Sequence, residues 1–470
     1  MGKLAVITSA LHKRHYAQGL IQMFFRKEDT GSLYNSFIKE ATGTFGLKIA
    51  VTGMNFFTSL LLVRLLGSTG YGNYAYAISW IMLLGVPAGL GLNRLLVRNI
   101  AVYQSRSAWS LMSGILRWAD RVVLFASLSV ASLSAVVLWF SRTNIDSQMF
   151  HPLWVALVLL PLTALMAVRL SVIQGLGHIV IAQLPDLLFQ PLLFIALIGG
   201  LSLFVERHIT ASWVVGMHAV TVGIALLIGM RILRKMLPPA AKSSVPVYET
   251  RRWLGSALSM MSVGGMSVIS SRIDILLLGG IMGADAVGIY NVAIRGAELV
   301  TFILMPVHQT LGPVVASLYA GNDMRRLQGM VAKSTRIAFL LSLPIALGLV
   351  VFGYWFLLVF GPEFVRGQTA LAILSIGQLA NVATGPVILL LIMTAYERVA
   401  AVSIGIGAAL NILFNATLIP IWGLEGAAIA TASSTVVWNA LMVIWVYKKL
   451  GIHSTALGRI SFRRALNRAV

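Results

Sequence analysis

Residues 270–298 read SSRIDILLLGGIMGADAVGIYNVAIRGAE, and this stretch predicts the outer halves of two membrane helices joined by a tight turn. It places four charged side chains in apolar surroundings: Arg272, Asp274, Arg295 and Glu298. A charged residue at the centre of a bilayer costs about 2.5–3.5 kcal/mol on the insertion scale, and such residues usually serve function. These four are therefore the first candidates for a substrate-binding site.

The composition predicts a polytopic membrane protein. The chain of 470 residues is 58% hydrophobic and 11% charged, whereas a soluble domain is about half apolar and about a quarter charged. The net charge of +21 is spread over loops between apolar runs, so it indicates topology and membrane-surface charge rather than nucleic-acid binding. The absence of cysteine excludes disulfides and cysteine-ligated metals.

Apolar runs of about 20 residues, long enough to cross a bilayer, recur from residue 44 onward. They predict an all-α fold with about twelve transmembrane helices. The predicted spans are 44–66, 71–97, 118–140, 152–174, 179–204, 210–232, 254–281, 286–317, 334–359, 368–393, 398–419 and 426–447.

Lysine and arginine are concentrated in alternate loops, which predicts the orientation. They follow the second, sixth and eighth spans and fill the tail, whereas the other loops carry only Arg142, Arg207 and Arg366. Both termini are therefore expected in the cytoplasm, and the protein is expected in the bacterial inner membrane.

A motif occurs twice. Residues 67–78, GSTGYGNYAYAI, align with residues 283–294, GADAVGIYNVAI, at a constant offset of 216, and glycine, tyrosine, alanine and isoleucine recur. Hairpin chemistry used twice is the alternative, but matching position and spacing favour duplication. Since six spans separate the copies, the halves have the same orientation, as in transporters built from parallel repeats around a central cavity.

The repeat predicts five segments. They are a basic cytoplasmic N-terminal segment (1–43), an N-lobe of six helices (44–233), a cytoplasmic inter-lobe linker (234–253), a C-lobe of six helices (254–449) and a basic cytoplasmic tail (450–470). The N-terminal segment is either an amphipathic helix on the inner membrane surface or a disordered extension.

The intramembrane charges have two interpretations. Arg272 is able to pair with Glu298, and Asp274 with Arg295, in a static cluster that locks two helices together. Alternatively the arginines line a polar cavity and hold phosphate through forked hydrogen bonds. Asp186 is the only acid well inside a helix of the first half, and it is either an ion-coupling residue or a hydrogen-bonded structural one.

No enzyme motif is present. The eight histidines are scattered, with no HExxH and no phosphate-binding loop. The short outer loops also argue against a membrane-embedded polymerase, which needs acid–base groups in a larger domain. A transporter without a cofactor is expected, driven by a proton gradient, a sodium gradient or the membrane potential.

The chain resembles the polysaccharide flippases of the multidrug/oligosaccharidyl-lipid/polysaccharide exporter superfamily. The resemblance covers about residues 43–449 and rests on LLVRLLGSTGYGNYAYAIS (61–79), GLGLNRLLVRNIA (89–101), DILLLGGIMGADAVGIYNVAIRGAEL (274–299), SLYAGNDMRRL (317–327) and PIWGLEGAAIATASS (420–434). It implies a V-shaped pair of six-helix lobes around a cationic cavity. The family's basic cavity residues correspond to Arg272, Arg295 and Arg64, whereas Asp274 and Glu298 depart from a purely cationic lining.

The resemblance also implies that the protein carries undecaprenyl diphosphate-linked oligosaccharide repeat units to the outer leaflet by alternating access. Asn381, Asn411 and Asn415 are expected to meet sugar hydroxyls. Membrane lipids, a polysaccharide polymerase and chain-length proteins are the expected partners, and no nucleic acid is expected. The alternatives are a multidrug/cation antiporter of the same superfamily, a polysaccharide polymerase, and a scaffold for glycan assembly.

Overall fold

The computed structural model describes residues 30–143, 146–204, 209–456 and 458, and these residues form helices and short connections without a strand. The chain divides into two units, residues 1–47 and 48–470. In the first unit, residues 30–47 are helical. The predicted character of residues 1–29, and of the tail at 457 and 459–470, lies outside the described residues.

The described helices are numbered in chain order. They are α1 (Thr30–Gly89), α2 (Leu92–Ser105), α3 (Trp109–Phe140), α4 (Ser147–Ala156), α5 (Leu159–Gly175), α6 (Ile179–Leu184), α7 (Gln190–Phe204), α8 (Ala211–Met236), α9 (Pro239–Ser243), α10 (Thr250–Met282), α11 (Ala284–Thr301), α12 (Leu304–Ala320), α13 (Met324–Leu358), α14 (Gln368–Thr384), α15 (Val387–Met393) and α16 (Glu397–Leu450). A π-helical turn, Pro185–Phe189, joins α6 to α7, and a 3-10 turn, Pro362–Gly367, precedes α14.

The helices account for about twelve membrane crossings, as predicted. Among the described residues, nine stretches are long and apolar enough to cross a membrane. Two of them, Ala50–Gly89 with 40 residues and Glu397–Leu450 with 54, are far longer than the bilayer requires, at about 60 and 80 Å against a core of about 30 Å. Each bends at a glycine and forms two crossings, and α11 with α12 supplies one more.

The bend glycines confirm the internal repeat. Gly67 has φ 67° and ψ −175°, and Gly283, its counterpart at the offset of 216, has φ 85° and ψ −176°. No atom lies within 4 Å of a Cβ built on either residue, so the positive φ, which favours glycine, explains the residue type. The same strained turn therefore opens the second helix of each half.

Two ends of the unit formed by residues 48–470 are distinguished by their turns. The hairpin end carries the bends at Gly67, Gly283 and Gly423, and the basic end carries the alternate turns that are rich in lysine and arginine. One hydrophobic cluster joins the lobes through residues such as Leu62 and Tyr71 of the N-lobe and Tyr290 of the C-lobe.

Near the basic end, a second cluster packs Trp253 and Ala257 against N-lobe residues that include Trp118. The lobes are thus in apolar contact along the seam of α1 and α2 with α10 and α11. Membrane helices carry their backbone hydrogen bonds internally, so side-chain packing is free to set this arrangement.

The predicted inter-lobe linker is packed against the N-lobe. Its backbone at Val247 donates to the carbonyl of Ser110 at 3.0 Å, and the Trp253 indole donates to the Tyr103 hydroxyl at 3.0 Å. The lobe boundaries at 233 and 254 stay a prediction.

Residues 451–456 form a C-terminal strap that follows α16. The Gln328 side chain donates to the carbonyl of His453 at 2.9 Å and accepts from its backbone N–H at 2.7 Å. The Ala456 N–H donates to the carbonyl of Ala383 at 2.9 Å. The strap therefore ties α13 to α14 at the basic end.

Candidate functional site

The two copies of the repeated motif pack against each other at the hairpin end. A Cβ on Gly72 would lie 1.7 Å from the carbonyl oxygen of Ala284, and a Cβ on Gly288 would lie 2.1 Å from the carbonyl oxygen of Ser68. These four residues are equivalent in pairs at the offset of 216, so the contact is nearly symmetric. Small residues four apart allow membrane helices to approach this closely.

Polar groups hold the same end together. The Ser68 hydroxyl of the N-lobe donates to the Asp285 carboxylate of the C-lobe, and Arg366 pairs with that carboxylate at 2.8 Å. The Arg64 guanidinium donates to the carbonyl of Val359 at 2.6 Å, beside the end of α13. Arg64 thus bridges the lobes at a helix C-terminus, where a cation is favoured.

The predicted charge cluster is found next to this seam. Arg295 forms an ion pair with Glu298 at 3.2 Å on the same helix, and their side chains are 31% and 51% exposed. Arg272 and Arg295 interact electrostatically with each other and with Tyr71 of the N-lobe. We call Arg272, Arg295, Glu298 and Tyr71 the seam cluster. Neither ion pair that the sequence allows, Arg272 with Glu298 or Asp274 with Arg295, is formed among the described residues.

Asp274 is 3% exposed and is held by three donors. Its Oδ1 accepts from the Ile275 N–H at 2.8 Å, and its Oδ2 accepts from the Tyr290 hydroxyl at 3.2 Å and the Thr431 hydroxyl at 3.3 Å. A buried carboxylate requires such partners. Asp274 therefore fixes α10 to α11 and to the last crossing of α16.

Asp274 and Glu298 also line a cavity of about 300 Å³ inside the C-lobe. Five helices supply its lining: α10, α11, α14, α15 and α16, the last with both of its halves. The lining residues are Ser267, Ser270, Ser271, Asp274, Ile294, Ala297, Glu298, Leu374, Gln378, Asn381, Ile388, Ile404, Thr431, Thr435 and Trp438. We call this the C-lobe cavity. It holds hydroxyls, amides and two carboxylates, and none of these residues is basic.

The three asparagines expected to meet sugar are placed differently. Asn381 lines the C-lobe cavity and accepts from Asn439 at 3.0 Å. Asn411 and Asn415 are buried at 1% and 0% exposure, and the Asn415 amide donates to the carbonyl of Asn411 at 2.8 Å. Asn411 also donates to the Ser434 hydroxyl at 2.8 Å, so this pair joins the two crossings of α16, and neither asparagine lines the cavity.

Asp186 lies in the π-helical turn between α6 and α7, and its side chain is exposed. No hydrogen bond joins it to another described residue. Single π-turns often mark functional sites. The structure does not bring Asp186 into contact with the seam cluster, and its ion-coupling role stays a prediction.

Sequence reasoning missed an ion pair inside the N-lobe. Arg169 of α5 lies 2.7 Å from Asp120 of α3. This ion pair could have been predicted, because Asp120 is a second acid of the first half and stands on a long apolar helix. Tyr290 and Thr431 were also missed, since their separation in sequence hides their common contact with Asp274.

Comparisons with known proteins agree with the fold. The family described as "Polysaccharide biosynthesis protein" matches residues 37–319, and the MatE family matches residues 260–417. Among solved structures, the lipid II flippase MurJ in an inward closed conformation has a TM-score of 0.69 at 12% identity, over 86% of this chain and 87% of that one. An inward-facing multidrug resistance MATE family transporter has a TM-score of 0.67 at 14% identity, over 85% and 94%.

The curated relatives are named as flippases. The probable low-salt glycan biosynthesis flippase Agl15 of Haloferax volcanii is 25% identical over 84% of this chain and 79% of its own length. The probable flippase AglR of the same organism is 24% identical over 85% and 81%. The chain is therefore a multi-pass membrane transporter of the flippase type and not an enzyme. Since the match at residues 37–319 covers more than half of its length, the chain belongs to the polysaccharide biosynthesis protein family.

Proposed function

We propose that this protein moves undecaprenyl diphosphate-linked oligosaccharide from the cytoplasmic to the outer leaflet of the bacterial inner membrane, for the assembly of surface polysaccharide. The two lobes would open alternately at the basic end and at the hairpin end. The flippase relatives and the two-lobed fold support the general activity.

The observation that carries the substrate class is the seam cluster. Arg272 and Arg295 of the C-lobe interact electrostatically with each other and with Tyr71 of the N-lobe, and Arg295 is paired with one carboxylate. The planar guanidinium forms two parallel hydrogen bonds with phosphate oxygens, which suits it to a diphosphate. A site that contacts both lobes is sensitive to their opening, which alternating access requires.

The membrane potential is able to drive the outward movement of the lipid diphosphate. Moving about two negative charges outward across a potential that is negative inside gains roughly 4–5 kcal/mol per 100 mV. Coupling to inward protons or sodium ions, with Asp186 as the ion-binding residue, is the other energy source that we propose to test. Both termini are cytoplasmic in this scheme, and the polymerase and the chain-length proteins act on the product outside.

The experiment is a deletion strain complemented with variants. Deletion should make lipid-linked repeat units accumulate on the cytoplasmic leaflet, and the wild-type gene should restore their export. Arg272→Gln and Arg295→Gln, separately and together, should reduce export, because each removes a phosphate-binding fork.

Arg251→Gln is the matched control. Arg251 is an exposed arginine at the start of α10, outside the seam cluster, so its replacement should leave export unchanged. Normal export in the deletion strain would contradict the proposed function, and full export by the double arginine variant would contradict the role of the seam cluster.

One observation favours a second candidate, a multidrug/cation antiporter. The C-lobe cavity carries Asp274 and Glu298 and no lysine or arginine among its described lining residues, a lining that suits an organic cation. Drug resistance on overexpression, together with normal surface glycans after deletion, would select this candidate over the flippase.

A further inference from the structure

The C-lobe cavity has the size of a sugar site rather than that of an ion site. Its volume of about 300 Å³ equals that of roughly ten water molecules, at about 30 Å³ for each water in the liquid. This space suits one or two linked sugar rings. Among the described residues, no three His, Cys, Asp or Glu side chains lie together as ligands of a metal ion.

Several polar groups in the cavity lining lack a partner within the protein. Ser267, Ser270 and Thr435 form no side-chain hydrogen bond to another described residue, and neither does the indole of Trp438. A hydroxyl both donates and accepts, whereas an indole N–H only donates. Together with the amide of Gln378, these groups offer donors and acceptors to a ligand that is rich in hydroxyls.

Trp438 is positioned by a close helix contact. A Cβ on Gly407 would lie 2.7 Å from the Cβ of Trp438 and 2.8 Å from its Cδ1. The indole therefore packs directly on the backbone of the preceding crossing and lines the cavity from a fixed place. An aromatic side chain with one apolar body and one polar group suits a ligand that has both kinds of surface.

The carboxylates determine which sugars fit. Asp274 accepts three hydrogen bonds and Glu298 is paired with Arg295, so the lining presents carboxylate oxygens that accept hydrogen bonds and donate none. A hydroxyl donates to such carboxylates, but a second carboxylate would be repelled, since like charges out of water are costly. The cavity thus favours neutral or amino sugars over uronic acids.

We propose that the C-lobe cavity is the subsite for the sugar headgroup, and that it accepts a neutral or amino sugar of one or two rings and rejects an acidic one. This inference rests on the proposed function, because it places the glycan beside a diphosphate that is held at the seam cluster. Glu298 belongs to both sites, so the two parts of one substrate would meet there.

The test uses the full chain in proteoliposomes. The probes are two polyprenyl diphosphates, one carrying a disaccharide of N-acetylhexosamine and the other a disaccharide of hexuronic acid. We expect the neutral lipid to be translocated at least tenfold faster. Ser270→Ala and Thr435→Val should each slow the neutral lipid severalfold, and Trp438→Phe should slow it less than Trp438→Ala.

Matched controls lie on the same helices but outside the cavity. Ser262→Ala on α10 and Trp445→Ala on α16 should translocate the neutral lipid at the wild-type rate, because neither residue lines the cavity. A second readout is binding of soluble diacetylchitobiose to each purified variant, measured by tryptophan fluorescence. The affinity for diacetylchitobiose should fall at least tenfold in Trp438→Ala, and the thermal transition of each variant monitors its folding.

The outcomes separate the two ideas. Translocation of neither lipid by the wild type would overturn the proposed function and this inference with it. Equal translocation of the two lipids, or wild-type rates in the cavity variants, would overturn the sugar subsite alone. Stabilisation by sodium ions that Glu298→Gln abolishes, without any effect of diacetylchitobiose, would assign the cavity to a cation instead.

Discussion

The contact between the two copies of the repeat predicts a large effect of one added methyl group. In Gly288→Ala, the new Cβ would lie 2.1 Å from the carbonyl oxygen of Ser68, whereas real Cβ atoms essentially never come closer than 3.0 Å. The obstacle is backbone, so no side chain is able to rotate away. The helices must separate by about 1 Å, and overpacking of this kind costs about 1–3 kcal/mol.

The added methyl group therefore destabilises the state in which the lobes touch at the hairpin end. If the lobes interconvert between two states, 1–3 kcal/mol changes their ratio by about 5- to 150-fold in favour of the open hairpin end. Gly72→Ala should act in the same direction, because its Cβ would lie 1.7 Å from the carbonyl oxygen of Ala284. The two substitutions change one contact, so their effects should be less than additive.

Cysteine accessibility measures this shift. The chain has no cysteine, so Ala75→Cys introduces a single thiol at a position that is 4% exposed in the cluster joining the lobes. Gly288→Ala should raise its rate of alkylation by maleimide by about the same 5- to 150-fold factor.

Gly85→Ala and Gly280→Ala are the controls, since nothing lies within 4 Å of a Cβ at either position. Neither substitution should raise the rate of alkylation by maleimide. The higher helix propensity of alanine should stabilise each variant by up to about 1 kcal/mol. Unchanged alkylation in both Gly72→Ala and Gly288→Ala, with normal expression, would refute the close backbone contact.

Three further predictions concern stability. Tyr290→Phe should lower the thermal transition, at a cost of about 1–3 kcal/mol, because buried Asp274 loses a donor; an unchanged transition would show that this hydrogen bond contributes nothing. Gln328→Ala removes two hydrogen bonds to the C-terminal strap, so limited proteolysis should cleave the strap faster, and wild-type cleavage would mean that other contacts hold it. Asp120→Leu should destabilise the N-lobe by about 1–3 kcal/mol, since Arg169 loses its carboxylate, and adding Arg169→Met should recover part of the loss in a double-mutant cycle.

The sequence predicted the crossings and the duplication well, because both are local or periodic properties. An apolar run of about 20 residues has few options other than a membrane helix. The turn at Gly67 and Gly283 was visible as a repeated motif, and the structure shows the same backbone conformation at both residues. The packing of these motifs against each other was also detectable in principle, since Ser68 and Gly72, like Ala284 and Gly288, are small residues four apart.

The charged residues were identified from the sequence, but their partners were not. Glu298 pairs with Arg295 on its own helix, and Asp274 bonds to Tyr290 and to Thr431, which is far away in the chain. Arg64 meets the carbonyl of Val359 across the seam. The pair on one helix is local, whereas the contacts of Asp274 with Thr431 and of Arg64 with Val359 depend on the tertiary arrangement of helices from distant parts of the chain.

The physical reason is the rotation of each helix about its axis. Successive residues are about 100° apart around a helix, so a small error in rotation exchanges a cavity residue for a lipid-facing one. Membrane helices are apolar on nearly every face, and they lack the polar stripe that shows the outer face of a soluble helix. The sequence by itself therefore determined how often the chain crosses the membrane and that its halves are repeats, whereas only helix packing decided which charges meet and where the C-lobe cavity lies.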